Sequence, residues 1–278
     1  MSPSDSEVAE ADLRFAAWMR ENLDHAAEHF GVTITGEPVH GWRLLSIGAP
    51  ARSGQGRRWL RVVTEQPPWA RGAWWVGNAE ANVITGLRKP HVLDTHEWEI
   101  PGVRRQRAEL MTYLSGRACA AENVLRQELD LPESWWHRLR GSLDTLADFP
   151  TDRRHKTEPE ITGRLNRIGA RRPVLDWETV HGDLHWANLL QPELGLLDWS
   201  LWGRGPAGTD AATLYCYSLL APRTAATVWH TFVDILDAPS GTTALLHVAA
   251  RLLRRVESGD HPELAPPLHQ LVERLTQR

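Results

Sequence analysis

Cysteine is scarce in this chain of 278 residues, which contains only Cys119 and Cys216. Two isolated cysteines cannot supply a disulfide framework or a cysteine-based metal site. We therefore expect both thiols to be reduced and buried, as is usual in a reducing compartment.

Long apolar runs and an excess of positive charge are also missing. No hydrophobic run approaches the roughly 18 residues that a membrane-spanning helix needs, and the charged N-terminal stretch lacks the apolar core of a signal peptide. The net charge of -4 argues against general affinity for nucleic acid, and only Lys89 and Lys156 accompany the arginines. With 42% hydrophobic residues, the sequence predicts a globular cytoplasmic protein that binds neither membranes nor nucleic acid.

The first part of the chain combines one helical pattern with short β-favouring runs. Apolar residues recur at helical spacing from Ser6 to Phe30, which predicts an amphipathic helix. The following pattern predicts strands at residues 32–35, 42–47 and 59–63, a short helix at 78–87 and a strand at 104–113. Residues 67–75, with two prolines and several tryptophans, are expected to form an irregular insertion.

Helical patterns dominate the rest of the chain. They predict helices at residues 132–147, 158–168, 210–220, 225–236, 242–256 and 266–275. The stretch 179–199 interrupts them and is expected to form two short strands flanking a loop. This order predicts an α+β, two-lobed fold, with a small N-lobe over residues 1–113 and a larger helical C-lobe over residues 114–278.

Three oxygen-bearing side chains are spaced along that interruption. Asp183 lies in a polar loop, Asn188 follows five positions later, and Asp198 ends an apolar run. Phosphoryl transfer from a nucleotide needs a carboxylate to orient the acceptor hydroxyl, oxygen ligands for magnesium, and cations along the phosphates. Asn188 and Asp198 suit magnesium, which prefers oxygen ligands, and Asp183 is then left to hydrogen-bond the acceptor hydroxyl.

This spacing resembles that of a known family, the aminoglycoside phosphotransferases, whose pattern is H-G-D-x-x-x-x-N and then an apolar strand ending in D-W. The chain matches the pattern, in order, at His181, Gly182, Asp183, Asn188, Asp198 and Trp199. The resemblance implies a protein-kinase-like fold, ATP or GTP as phosphoryl donor, Mg²⁺, and a small hydroxylated acceptor such as an aminoglycoside. For a Lys-poor, Arg- and Trp-rich sequence of high-GC bacterial character, it also implies antibiotic resistance or self-protection.

The same resemblance assigns supporting and nucleotide-binding roles to other residues. His181 and Asp210 would brace the catalytic loop. Leu110 and Met111 lie in a segment, residues 109–116, that resembles the hinge between lobes, where backbone groups would hold the nucleotide base.

Three departures from the family pattern concern the phosphates and the metal. Relatives carry a lysine on the third strand of the small lobe, where this chain has Arg61, which keeps the charge but differs in geometry. Glu80 is the expected partner of Arg61 in nucleotide binding. Residues 48–56 contain the glycines of a phosphate-covering turn without a recognisable spacing. Ser200 follows Trp199 where relatives often carry a second acid, so one metal ion is better supported than two.

Other interpretations of the motif stay open. His181, Asp183 and His185 could belong to a metal-dependent hydrolase, although the sequence shows no second cluster of ligands. An ordinary polar turn would need many coincident matches. A kinase-like protein that binds nucleotide with weak or no turnover is the main alternative to an active phosphotransferase.

Residues outside the motif also have two interpretations. Trp202 follows the metal aspartate closely, so an aromatic contact with the acceptor is one possibility and simple core packing is the other. Asp210 precedes a helical run, where a capping role is expected. Arg251, Arg254 and Arg255 are interpreted as the solvated side of the helix at residues 242–256.

Overall fold

The computed structural model describes residues 5–277, and the chain divides into two compact units. The first unit contains the chain up to Asn82 together with Pro90–Ser115. The second contains Val83–Lys89 and the chain from Gly116 onward. This division differs from the predicted boundary between residues 113 and 114 mainly because residues 83–89 belong to the second unit.

The first unit is built on one antiparallel sheet. Its elements in chain order are α1 (Asp5–Phe30), β1 (Thr33–Ile34), β2 (Val39–His40), β3 (Ser46–Ser53), β4 (Gly56–Glu65), α2 (Ala73–Glu80), β5 (Val92–Ile100) and β6 (Arg104–Thr112). Five of the six strands follow the order β1-β3-β4-β6-β5, and the sixth, β2, pairs with β3. Every pairing is antiparallel. β4 has a neighbouring strand on each side, β3 and β6, and β6 lies between β4 and β5.

Helix α1 docks on this sheet through its apolar face. Leu23 and Ala26 are completely buried, and they belong to the same core cluster as Leu60 of β4. Burying a leucine side chain contributes roughly 1.5–3 kcal/mol. The predicted N-terminal amphipathic helix is confirmed.

The glycine-containing stretch 48–56 is mostly strand, with its turn confined to residues 54–55, and its phosphate-covering role stays a prediction. Gly48 lies within β3, and the chain reverses into β4 at residues 54–55. A Cβ on Gly48 would lie 2.8 Å from Trp59 Nε1, so the absence of a side chain lets the tryptophan of the neighbouring strand cross over it. The glycine here serves cross-strand packing.

Three further parts of the first unit differ from expectation. Residues 42–44 form a 3₁₀ helix where a strand was expected, and β3 starts only at Ser46. Helix α2 begins inside the expected insertion, because Trp75 packs with Val63 and Ala70 in a buried cluster. Glu80 is therefore the last residue of a helix and not near its start. β5 escaped prediction because it is a polar edge strand that pairs only with β6.

The second unit is mostly helical. Its elements in chain order are β7 (Arg117–Ala118), α3 (Glu133–Ala147), α4 (Glu158–Arg167), β8 (Trp177–Val180), β9 (Leu190–Gln191), β10 (Gly203–Pro206), α5 (Thr209–Tyr217), α6 (Pro222–Thr231), α7 (Val233–Leu236), α8 (Pro239–Glu257) and α9 (Ala265–Thr276). The mostly buried α8 contacts α4, α5, α7 and α9. The predicted helices are found, except that the one at residues 225–236 is interrupted at Phe232 and forms α6 and α7. The α+β plan, strand-rich first and helix-rich second, is confirmed.

Residues 83–89 join the second unit through hydrogen bonds of Arg88. The Arg88 carbonyl accepts from Leu196 N at 2.9 Å, and Arg88 Nη1 donates to Leu194 O at 3.1 Å.

Both cysteines are buried and unpaired, and burial raises the pKa of each thiol to about 12. Within residues 5–277, no helix is both long and apolar enough to cross a membrane.

Removal of the Leu23 side chain tests the docking of α1. We expect Leu23→Ala to lower the free energy of unfolding by about 2–5 kcal/mol, because it leaves a cavity in a closed core. Leu13, on the same helix, is 71% exposed, so Leu13→Ala should change that free energy by less than about 0.5 kcal/mol. Urea denaturation followed by circular dichroism measures both values. Equal values for the two variants would contradict the packing.

Candidate active site

The loop that carries Asp183 starts where a two-stranded ribbon ends. β8 pairs with β10 in antiparallel register, and the loop follows β8 directly. Asp210, in the first turn of α5, accepts hydrogen bonds from His181 N at 2.6 Å and Gly182 N at 2.9 Å. One buried carboxylate thus holds the first two peptide groups of the loop. This is the contact that the supporting role predicted for Asp210 requires.

The protonation of Asp210 follows from its burial. Burial raises the pKa of Asp210 to about 6, while His181 and the two backbone hydrogen bonds lower it in part. Each Asp210 oxygen accepts one backbone N–H, and these two bonds favour the ionised form.

Gly182 allows the chain to turn into Asp183. Its φ is +83°, and a Cβ at this position would lie 2.5 Å from both His155 Nδ1 and Leu201 O. His155 Nδ1 is itself hydrogen-bonded to Leu201 O at 2.7 Å, so neither atom can move away. Only glycine fits this point of the loop.

Asp183 lies between two basic side chains. Its Oδ2 is 3.5 Å from His185 Nε2, and its Oδ1 is 3.7 Å from Arg251 Nη1. Burial raises the pKa of Asp183, but His185, Arg251 and Arg255 lower it by more, so the net pKa is well below the usual range. The carboxylate is one-quarter exposed. It is therefore ionised, and can accept a hydrogen bond from a hydroxyl group while remaining a weak base.

Arg251 reaches the loop from α8. Its Nη1 donates to Gly182 O at 3.1 Å, and its Nη2 donates to Thr213 Oγ1 of α5 at 3.2 Å. The side chain is only 16% exposed, so the interpretation of Arg251 as a solvated residue is wrong, whereas Arg254 is exposed as expected. Helical periodicity identified the apolar face of α8, but it carries no information about which loop lies beside that face.

One backbone hydrogen bond connects Asn188 to the segment that ends in Asp198. Asn188 Nδ2 donates to Asp183 O at 3.0 Å and lies 3.2 Å from His185 Nε2. Asn188 O accepts from Leu197 N at 2.8 Å, which places the residue before Asp198 beside the loop. Asp198 has a left-handed φ of +54° and accepts from Ser200 Oγ at 2.7 Å through Oδ1. Ser200 therefore orients the aspartate where relatives often have a second acid.

These two side chains fit the chemistry of magnesium. The Asn188 amide nitrogen is engaged with the loop, which leaves its oxygen as the atom suited to a cation, and Asp198 adds a carboxylate. Magnesium is usually held by one or two protein groups together with substrate phosphates and water. Within residues 5–277, no group of three or more His, Cys, Asp or Glu side chains is arranged to hold a metal ion.

His181 is completely buried and connects the loop to the segment that carries Asp198. Its Nε2 is hydrogen-bonded to Leu197 O at 2.9 Å, and its ring lies 4.8 Å from that of Trp199. These contacts are the kind that the predicted supporting role of His181 requires, and that role stays a prediction.

The nucleotide-binding residues predicted from the resemblance lie in the first unit. Arg61 Nη1 lies 3.1 Å from Glu109 Oε2 of β6, a carboxylate that was not predicted as its partner. Glu80 is exposed at the end of α2, and its pairing with Arg61 stays a prediction. Leu110 is half-buried and Met111 is buried, and both lie in a strand that is paired on two sides. Backbone groups for a base are therefore expected after β6, and the nucleotide-binding role of these two residues stays a prediction.

Trp202 is almost fully buried, with 2% of its surface exposed. Arg153 stacks on its ring at 4.9 Å, and Phe149 lies edge-on at 6.2 Å. Trp202 also lines a cavity of about 680 Å³ together with Phe149, Trp177 and the acids Asp148, Asp152 and Glu178. Most of the indole is used in packing, and its contact with an acceptor stays a prediction.

Loss of the Asp210 carboxylate should loosen the loop. We expect Asp210→Ala to lower the free energy of unfolding by about 2–5 kcal/mol, because two buried backbone N–H groups lose their acceptor. Chemical denaturation measures the change, and Asp130→Ala, at an exposed position of the same unit, is the matched control with an expected change below about 0.5 kcal/mol. A small effect at Asp210 would show that other groups shape the loop.

No protein-family model and no curated protein matches the sequence. Solved structures match it in fold. The apo crystal structure of a thermostable mutant of aminoglycoside phosphotransferase APH(4)-Ia aligns over 92% of this chain and 98% of that chain, with a TM-score of 0.61 and 12% identity. Amicoumacin kinase hAmiN aligns over 88% of each chain, with a TM-score of 0.54 and 10% identity.

A third match comes from a different group of kinases. A choline/ethanolamine kinase family protein from Mesorhizobium loti aligns over 88% of this chain and 90% of that chain, with a TM-score of 0.51 and 13% identity. Identities this low establish architecture and leave function to the site residues. The chain has the kinase-like fold of small-molecule phosphotransferases, which confirms the fold implied by the motif from His181 to Trp199.

Proposed function

We propose that the chain is a nucleotide-dependent O-phosphotransferase that phosphorylates a hydroxyl group of a small molecule. The observation that carries the proposal is one hydrogen-bonded framework that joins Asp183, Asn188 and the Asp198 segment. These are the carboxylate and oxygen ligands that phosphoryl transfer requires. The likeness in fold to aminoglycoside and amicoumacin kinases supports it.

Asp183 would receive the acceptor hydroxyl. Its ionised carboxylate accepts the hydroxyl hydrogen bond and thereby aims the oxygen lone pair at the transferred phosphorus. Because the pKa of Asp183 is well below the usual range, proton transfer to it would come late, when the new oxygen–phosphorus bond has already made the proton acidic. Arg251 would keep the carboxylate in place throughout.

Asn188 and Asp198 would hold Mg²⁺, which when bound would neutralise phosphate charge. The amicoumacin kinase structure contains AMP-PNP and Ca²⁺, which supports a divalent cation beside the nucleotide in this fold. Arg61, with Glu80 as predicted partner, would bind phosphates. Leu110 and Met111 would contribute to the binding of the base of ATP or GTP.

The acceptor is proposed to be a hydroxylated small molecule such as an aminoglycoside. A mutant of APH(4)-Ia was solved in a ternary complex with ADP and hygromycin B, which supports this class. Acidic residues of the cavity beside Trp202, among them Asp148 and Glu178, would suit a cationic acceptor. A role in antibiotic resistance and a cytoplasmic location follow as part of the proposal.

A kinase-like nucleotide-binding module without turnover is the second candidate. The observation that favours it is the arginine at position 61, held by Glu109 where relatives have lysine. Arginine differs from lysine in how it meets phosphate oxygens.

Variants of the two aspartates distinguish these candidates. We expect Asp183→Asn to lower kcat by about 10²- to 10⁴-fold while nucleotide binding persists, and Asp198→Ala to lower both activity and the dependence of nucleotide binding on magnesium. Magnesium-dependent release of ADP or GDP, measured across a panel of hydroxylated acceptors, reports turnover. Nucleotide binding by the wild type, without turnover above the Asp183→Asn level on any acceptor, would favour the binding module.

Arg251 offers a second test of the same centre. We expect Arg251→Gln to lower kcat by about tenfold to hundredfold with a small change in the KM for nucleotide, because the carboxylate of Asp183 loses its anchor. Arg254→Gln, on the same helix but exposed, should behave as wild type. Arg251→Lys keeps the charge but replaces the two donor nitrogens of the planar guanidinium group with a single nitrogen, so intermediate activity is expected. Wild-type kcat in Arg251→Gln would exclude this role.

A further inference from the structure

Glu109 is a buried carboxylate at the centre of the first unit. It lies on β6 directly opposite Arg61 in the register with β4, and it is 1% exposed. An ionised carboxylate at such a place is costly unless several donors compensate it. The donors around Glu109 therefore show which groups this carboxylate positions.

Three donors from three elements meet this carboxylate. Arg61 Nη1 of β4 is 3.1 Å from Oε2, and Asn78 Nδ2 of α2 donates to the same oxygen at 2.9 Å. Arg107 Nε, two residues away on β6, donates to Oε1 at 3.3 Å. Both oxygens are thus engaged, which fixes the plane of the carboxylate.

Arg107 has a second carboxylate partner besides Glu109. Glu97 of β5 receives Arg107 Nη1 and Arg105 Nη2, each at 2.5 Å, and Trp75 Nε1 at 3.1 Å. The charge of Arg107 is therefore balanced by Glu97 as well as by Glu109. The contact with Arg61 is the one that Glu109 makes and Glu97 does not.

We propose that Glu109 is the positioning residue for Arg61, the cation that binds the nucleotide phosphates. This inference rests on the proposed function. A guanidinium group has five N–H donors in one plane, so anchoring it through Nη1 fixes the direction of the others. Glu109 anchors Arg61 from the neighbouring strand β6, and the amide of Asn78 in α2 donates to the same carboxylate oxygen. The orientation of the phosphate-binding group is thus built into the sheet.

Binding of ADP compared with adenosine tests the proposal. Adenosine has the base and ribose but no phosphate, so it reports the integrity of the site without the contact made by Arg61. We expect Glu109→Gln to weaken magnesium ADP binding by about tenfold to hundredfold, with adenosine binding unchanged, in isothermal titration calorimetry on the full chain. The same pair of measurements is made with GDP and guanosine if the protein prefers guanine.

Two other glutamates supply matched controls. Glu97→Gln removes a carboxylate that contacts Arg105 and Arg107 of the same sheet. Neither contact involves Arg61, so this variant should leave ADP binding within about twofold of wild type. Glu80→Gln tests the partner expected from the sequence. If Glu80→Gln weakens ADP binding and Glu109→Gln does not, Glu109 is not the positioning residue.

A double variant connects the effect to Arg61. If Glu109 acts through Arg61, Glu109→Gln should add nothing to the loss of ADP affinity already caused by Arg61→Gln. Additive losses would overturn the proposal. Should Glu109→Gln fold poorly, Glu109→Asp draws the carboxylate back from Arg61 and is measured in the same way.

Failure of this inference differs from failure of the proposed function. A wild-type protein that binds neither ADP nor GDP contradicts the function. A wild-type protein that binds ADP, with equal weakening of ADP and adenosine in Glu109→Gln, contradicts only the positioning role.

Discussion

The hydrogen bonds from two backbone N–H groups to the Asp210 carboxylate determine the geometry of the candidate site. They set the turn in which only Gly182 fits, and that turn aims Asp183. The same bonds place His181 so that its ring meets Leu197 O, next to Asp198. The start of α5, the loop and the Asp198 segment therefore form one chain of contacts. A change at Asp210 would alter the positions of both Asp183 and Asp198.

Each unit contains a carboxylate that two basic side chains contact. In the second unit His185 and Arg251 contact Asp183, and in the first unit Arg61 and Arg107 contact Glu109. Charges interact more strongly where water is excluded, so these contacts hold both acids and their basic partners in fixed positions. Pre-ordered groups suit phosphoryl transfer, in which positioning and charge stabilisation do most of the work.

Sequence reasoning predicted features that recur locally along the chain. The periodic helices and the motif from His181 to Asp198 were found in this way. It missed β5, because the polar residues of this edge strand lack a strand-like apolar pattern. It also placed Glu80 near the start of a helix, whereas Glu80 is the last residue of α2. Arg251 and Glu109 were missed for a different reason, because their importance comes from neighbours far along the chain. Strand register brings Glu109 to Arg61, and register is decided by packing of the whole sheet.

The seven-residue segment 83–89 has a consequence for how the chain is synthesised. It belongs to the second unit, but the strands β5 and β6 that follow it belong to the first. When the segment leaves the ribosome its partners are still missing, since Arg88 bonds to Leu194, 106 residues later. The sheet can close early from nearby strands, whereas the helical unit must wait and then close a long loop. A fragment that starts at Gly116 would lack this segment, so an uninterrupted chain that contains the whole second unit also contains residues 90–115, and with them β5 and β6 of the first.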